Sequence, residues 1–362
     1  MSPVDKPPPH PATPDQVIGL LYRPDGGTKL RPVHAVGIAA SGYFQPSAVA
    51  SLYSHAAHFQ PRKGGHPIKV RFSNGSGCKD PHDAWSDVRG MAVRFSLPRQ
   101  PDGAELNTDL ISMTLPEFFS STPDEFQDFA WAAQPEPYLA DTPLRKLWDL
   151  MCLKLPLRDP YPGETISPDL GAIRFADAHD VAKPGVAEAA TIGAPVSYLR
   201  AAYHAVHTFV VTNAEGVQRW VRFSWQPVLG VRNLPPLAPY APAPELGNGD
   251  QYLQDELRGR LNDSNGKDHP RFSLMMMIGE VNDELNNPAR AWPPHRKRVM
   301  MGTLSVENIL SSQTDGEKMS FNPGLLTDGI ALSDDPVLKF RVETYKRSSA
   351  RRDATPCPFR EV

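Results

Sequence analysis

Proline occupies 39 of the 362 positions, and this restricts the fold before any motif is considered. Each proline fixes its φ at about −65°, lacks an N–H and breaks a helix interior or a central strand. A chain so loaded reads as short strands and turns wrapped by extended segments. The densest run, "NLPPLAPYAPAPELGNG" at 233–249, reads as a connecting loop.

Strand character is clearest in "HTFVVTNAEGVQRWVRFSWQP" at 207–227. Two runs rich in β-branched and aromatic residues flank a turn that ends in glycine, which predicts a hairpin. Further strands are predicted in "RPVHAVGIAASGYF", "PIKVRFSNG", "MAVRFSL", "TDLISMTL" and "HPRFSLMMMIGEV". The methionines of the last read as core filling. Helical periodicity marks 122–154, opened by the Thr-Pro-Asp-Glu start signal at 122–125. Two more helices are predicted over 248–261 and about 336–352. The pattern argues for an α+β fold: an antiparallel β-barrel core with helical excursions. Residues 1–16 read as a disordered arm, and 17–362 as one domain.

Composition narrows the function classes. A hydrophobic content of 40% with 22% charged residues fits a soluble globular protein. No apolar run approaches the roughly 18–20 residues of a membrane span. The net charge of −3 argues against nucleic acid as the main partner, and "HRKR" at 295–298 reads as a solvated turn. Three widely spaced cysteines form neither a disulfide framework nor a zinc site, and no secretory signal is visible, so the expected location is cytoplasmic.

The last patterned stretch, "LKFRVETYKRSSARR", sets Arg341 one helical turn before Tyr345. Positions i and i+4 share a helix face. A guanidinium against a phenol favours the phenolate, and tyrosinate is one of the few proximal ligands that haem iron accepts. Alone, such a pair is most often an ordinary helix face.

It has company in the sequence. "RPVHAVGIAASGYF" holds Arg31, Val33 and His34; "VRFSNGSGCKDPHDAWSDVRGMAVRF" holds Arg71, Ser73, Asp87 and Arg89; "FNPGLLTDGIALSDDPVLKFRVETY" holds Arg341 and Tyr345. With these blocks in this order the chain resembles the haem catalase family, in particular its short members, the catalase-related peroxidases. The second and third blocks match without a gap, from Val70 to Phe95 and from Phe321 to Tyr345.

The resemblance implies haem b as cofactor, with Tyr345 as the ligand of ferric iron and Arg341 holding it ionised. It implies His34 as the distal acid–base group, oriented by Ser73. Arg31, Arg71 and Arg352 would meet the haem carboxylates, with Arg351 an alternative to the last. Val33 and Phe126 would line the haem, and Asp87 matches an acid of the access channel. The implied substrates are hydrogen peroxide and organic hydroperoxides, with a small organic reductant as partner, in a response to oxidative stress.

Two departures bear on activity. Full catalases carry two asparagines in the distal run. Here the stretch is "DLISMTLP", with Met113 and Thr114 in their places. A thioether offers no donor and a hydroxyl only a weak one, so weak catalase activity is expected. The chain also stops soon after the tyrosine helix, which implies an open site and a monomer or small homo-oligomer. Two other readings are a fatty-acid hydroperoxide dehydratase or isomerase of the allene oxide synthase type, and a non-enzymatic haem carrier or sensor. Val33 weighs against the first, which has threonine there, and the His34–Ser73 pair against the second.

Overall fold

The computed structural model describes residues 8–21, 31–75, 77, 83–84, 87–97, 106–133, 136–137, 166–167, 170–234, 251–263 and 269–354. Eight antiparallel strands form its centre. They are β1 (Gly37–Pro46), β2 (His66–Asn74), β3 (Arg89–Ser96), β4 (Asn107–Met113), β5 (Tyr203–Thr212), β6 (Gln218–Pro227), β7 (Arg271–Ile278) and β8 (Arg298–Ile309). Each pairs with the next, and β8 pairs back onto β1, so the sheet closes into a barrel. A ninth strand, β9 (Ile330–Leu332), pairs with Phe209–Val211 of β5. The expected barrel is therefore observed.

Alternation sorts the residues of each strand between two faces. Phe44, Val70, Phe72, Val93, Phe95, Phe223, Trp225 and Phe272 point inward and are buried in one cluster. Their strand neighbours, among them Arg71, Ser73, Gly90 and Met113, point outward. The core is thus inside the barrel, and the outer wall is left for other elements to cover.

Three helices gather over one sector of that wall: α1 (Pro14–Leu21), α3 (Pro123–Ala132) and α8 (Pro336–Ala354). Between them, α2 (Ala50–Tyr53) is a single turn. Val17, Phe118, Phe126, Val206 and Val337 form a second apolar cluster that glues the helices to the wall. The start of α3 follows its sequence signal. Thr122 accepts from the Glu125 N–H, the Glu125 carboxylate reaches back to the Thr122 N–H, and Pro123 takes the first helical position. The helix ends at Ala132, and most of the remaining stretch expected to continue it, to 154, lies outside the described residues.

Elsewhere, α4 (Leu170–Ala178) and α5 (Lys183–Thr191) extend the α3 layer. The helix α6 (Tyr252–Asp263) adds Leu253, Leu257 and Leu261 to the barrel core. The short α7 (Gln313–Lys318) lies on β1, where the Gln313 amide bonds both the N–H and the carbonyl of Ala39.

Two expectations need correction. Part of the stretch predicted as an arm, residues 1–16, has a fixed place: α1 starts at Pro14 and buries Val17 and Ile18, and Ala12 donates to Asp124 of α3. A buried apolar pair that begins three residues beyond Pro14 gives this segment a place in the fold. The strand β8, which closes the barrel, is absent from the sequence reading. Its alternation is interrupted by a bulge between Met300 and Gly302, so the inward residues Met301 and Leu304 fall three apart. At Gly302 any Cβ would collide with the Phe44 ring and the Gln45 carbonyl.

Candidate active site

The site lies on the outer wall of β1–β4, where α8 faces it. His34 stands just before β1 with φ of 55°, the left-handed region that non-glycine residues rarely adopt. Such a conformation costs about 1–3 kcal/mol and persists where the surroundings enforce it. Here the His34 N–H donates to the Gly75 carbonyl at 3.0 Å, and its carbonyl accepts from Arg71 Nη1 at 3.0 Å. The ring packs on the bare backbone of Gly90. A Cβ there would lie 2.7 Å from His34 Nδ1 and 2.8 Å from Ser73 Oγ. Ser73 Oγ is 3.0 Å from Nδ1, which leaves Nε2 as the free ring nitrogen. Burial, then the charges of Arg71, Arg341 and Arg31, push the imidazole down to about 3, so it is neutral at ordinary pH.

A buried network braces this wall. The Asn74 amide, next to Ser73, donates to Asp83 Oδ1 at 2.7 Å and accepts from the Tyr198 hydroxyl at 2.8 Å. Arg89, next to Gly90, donates to the Asp83 carbonyl and pairs with Asp87 at 3.5 Å. Asp87 is thereby placed in an ion pair.

On α8 the Arg341–Tyr345 spacing performs as a helix requires: Arg341 Nη2 donates to the Tyr345 phenol oxygen at 2.8 Å. Two residues missed by the sequence reading complete the arrangement. Arg341 Nη1 lies 2.7 Å from His207 Nε2, and His207 Nδ1 lies 2.6 Å from Asp335 Oδ2. A guanidinium can only donate, so His207 accepts through Nε2 and donates through Nδ1. Burial keeps this imidazole neutral, pushed down to about 4. The other Asp335 oxygen accepts from the Val337 and Leu338 N–H groups and caps α8 ahead of Pro336. A bulge in β5 between Ala205 and Phe209 frees His207 from the ladder. "DDP" before a helix is a readable cap signal, but nothing local links Asp335 to a histidine 128 residues away.

The cations converge on the same place. Arg71 is buried and grips both Glu317 oxygens at 2.9 and 3.1 Å, and Arg31 Nε is 3.5 Å from the same carboxylate. Two guanidinium groups thus share one carboxylate. The Arg31 guanidinium is pushed well below its ordinary range by burial and by the Arg71 charge. It also feels Arg352 and Tyr345, which places those two nearby. Arg351, the alternative to Arg352, points elsewhere and binds Asp15 at 3.0 Å on the exposed side of α8. Phe126 packs on Phe118 and Phe119, and Phe118 lies under the Arg341 guanidinium. Val33 is half-buried beside His34.

In the distal run, Thr114 Oγ1 accepts from the Arg89 N–H at 3.0 Å while the Thr114 N–H donates to the Arg89 carbonyl. That hydroxyl is used in closing β3 onto β4. Met113 packs against the Phe118–Phe126 cluster.

Comparison with known proteins gives the family. The catalase family model matches residues 29–155 and 181–356. The chain belongs to the catalase family. A catalase-related peroxidase of Mycolicibacterium paratuberculosis is 33% identical over 339 residues, 93% of each chain. A catalase-related peroxidase of Synechococcus elongatus is 28% identical over 344 residues, 94% of this chain and 88% of the relative. A catalase of Alkalihalophilus pseudofirmus is 27% identical over 91% of this chain but only 47% of its own length. Membership supports an oxidoreductase acting on peroxide. Among the described residues, no helix is long and apolar enough to cross a membrane.

The residues present fit the haem that this family generally binds. A phenol held by a guanidinium offers an oxygen ligand, and an imidazole with a free nitrogen stands on the wall. Arg31, Arg71 and Arg352 gather three guanidinium groups, the partners that carboxylates need.

Proposed function

We propose that the chain is a haem b peroxidase that reduces hydrogen peroxide and small organic hydroperoxides at the expense of an organic donor. The observation that carries this reading is the pairing of His34–Ser73 on the barrel wall with Arg341–Tyr345 on α8. Tyr345 would ligate the iron, Arg31, Arg71 and Arg352 would hold the haem carboxylates, and Val33 and Phe126 would line the macrocycle. When bound, the haem supplies the redox iron at which the peroxide O–O bond breaks.

His34 moves the proton. Its Nδ1 is engaged by Ser73, so Nε2 takes the proton from one peroxide oxygen and returns it to the other, which leaves as water. Neutrality is the required starting state, and burial, with the neighbouring arginines, enforces it. Arg341 donates to the Tyr345 oxygen and is itself aimed by His207 and Asp335.

Oxygen release from a second peroxide needs a donor in the distal pocket. Met113 has none, and Thr114 offers only a hydroxyl, a weaker donor than an amide, whose oxygen also accepts from the Arg89 N–H. Losing one positioned donor in a dry site costs about 2.7–4 kcal/mol of transition-state stabilisation. An organic reductant then completes the cycle, in a monomer or small homo-oligomer that removes peroxide under oxidative stress.

The test compares oxygen evolution with oxidation of an aromatic donor, per haem, in wild type and Met113→Asn. The expected result is ready donor oxidation with weak oxygen release, the latter raised by Met113→Asn. Oxygen release equal to that of a full-length catalase measured alongside would overturn the peroxidase reading.

A further inference from the structure

One half-buried imidazole takes no part in the networks above. The ring of His204, near the start of β5, makes no hydrogen bond to any described residue. Strand register fixes its direction. Tyr203 and Ala205 belong to the barrel core, so His204 points outward. Ser73 lies opposite Gly90, Gly90 opposite Met113, and Met113 opposite His204. Directly opposed residues share a face, so these four positions form one outward row, with side chains at all but Gly90.

Adjacent strands are about 4.8 Å apart, so some 10 Å of wall separates Gly90 from His204. Gly90 is where the His34 ring rests. The row therefore starts under the distal imidazole and ends at a second one, with the Met113 thioether between them. Burial, and then the Arg298 charge, hold His204 neutral, down to about 4. It thus presents one N–H and one lone pair. A thioether is a good surface for an aromatic ring, and a neutral imidazole is a good acceptor for a hydroxyl proton.

Resting on the peroxidase reading, we infer that the organic reductant is a small phenol, bound with its ring on Met113 and its hydroxyl on His204. In turnover each phenol gives one electron to the peroxide-oxidised enzyme and its O–H proton to the lone-pair nitrogen of His204. The O–H bond breaks, an N–H bond forms and a phenoxyl radical leaves. Burial makes the charged imidazole short-lived, and it returns its proton to the oxygen that becomes water. Two phenols and one hydrogen peroxide yield two phenoxyl radicals and two waters. His204 is thereby a donor-binding and proton-accepting residue, distinct in role from His34.

The test titrates the haem-loaded resting enzyme with guaiacol, without peroxide, and reads Kd from the visible difference spectrum. In His204→Phe, Kd and the KM for guaiacol should rise about tenfold, the loss of one hydrogen bond. The stopped-flow rate with peroxide should stay unchanged. His204→Gln should regain the Kd but not kcat, because an amide binds a hydroxyl without accepting its proton. This second variant also keeps the inference testable if the first fails to fold. Unchanged Kd and KM in His204→Phe, or full kcat in His204→Gln, would overturn it. Peroxide-driven guaiacol oxidation by wild type reports on the peroxidase reading separately: its absence refutes that reading, whereas equal binding in wild type and variant refutes the role of His204.

Discussion

The inner and outer faces of strands β2–β4 are built from alternate residues of the same segments, yet they do different work. Inward, Val70, Phe72, Met91, Val93 and Leu110 are apolar and fully packed. Outward, Arg71, Ser73, Gly90 and Met113 include a charge, a hydroxyl, a bare backbone position and a thioether. The period of two lets each strand hold the barrel together with one set of side chains and furnish chemistry with the other. Substitutions on the two faces should therefore have separable effects.

The largest effect is expected on the outer side. His34→Ala should slow the stopped-flow reaction with peroxide by about 10²–10⁴-fold, the usual worth of general acid–base transfer. Haem content and melting temperature should be unmoved. An unchanged rate would remove His34 from the mechanism and leave the outer face without its central group.

On the inner side, Trp225 is fully buried and meets Phe44 and Phe95 at ring-centroid distances of 6.1 and 6.4 Å. Trp225→Ala should cost about 3–5 kcal/mol of stability, read by chemical denaturation. The peroxide rate per bound haem in the folded protein should match wild type. A loss of rate with stability intact would show that the two faces are coupled.

Acid should weaken the outer face next, by a smaller and graded amount. Burial depresses His34 to about 3 and His204 and His207 to about 4, and all three lie outside the barrel core. His58, inside it, is likewise at about 3. An unfolded histidine takes up a proton near pH 6.5 while these stay neutral in the fold. Their contribution is therefore complete above that value and declines as pH falls toward the folded values. Thermal melts between pH 8 and 4 should show a falling melting temperature below about 6.5. A flat profile across that interval would contradict the neutral buried histidines.

Local signals made much of this legible in the sequence. The 207–227 hairpin, the Thr122 start of α3 and the Arg341–Tyr345 turn each depend on residues within a few positions of one another. The helix predicted over 248–261 runs from Tyr252 to Asp263. What escaped was long-range or irregular. The bulged β8 hides its alternation, and the pairs His207–Asp335 and Arg71–Glu317 join residues 128 and 246 positions apart. Gly90 lies within one of the blocks that carry the resemblance. Only the packed His34 ring shows why a side chain has no room there.

The central claim is that the outer wall and α8 together hold a haem through Tyr345, and haem retention tests it directly. Wild type and Tyr345→Phe would be purified in parallel and compared by haem content and visible spectrum. The account predicts that the variant loses most of its haem, or its tyrosinate-type ferric spectrum, while the barrel still folds. A variant with wild-type haem content and an unaltered spectrum would contradict it.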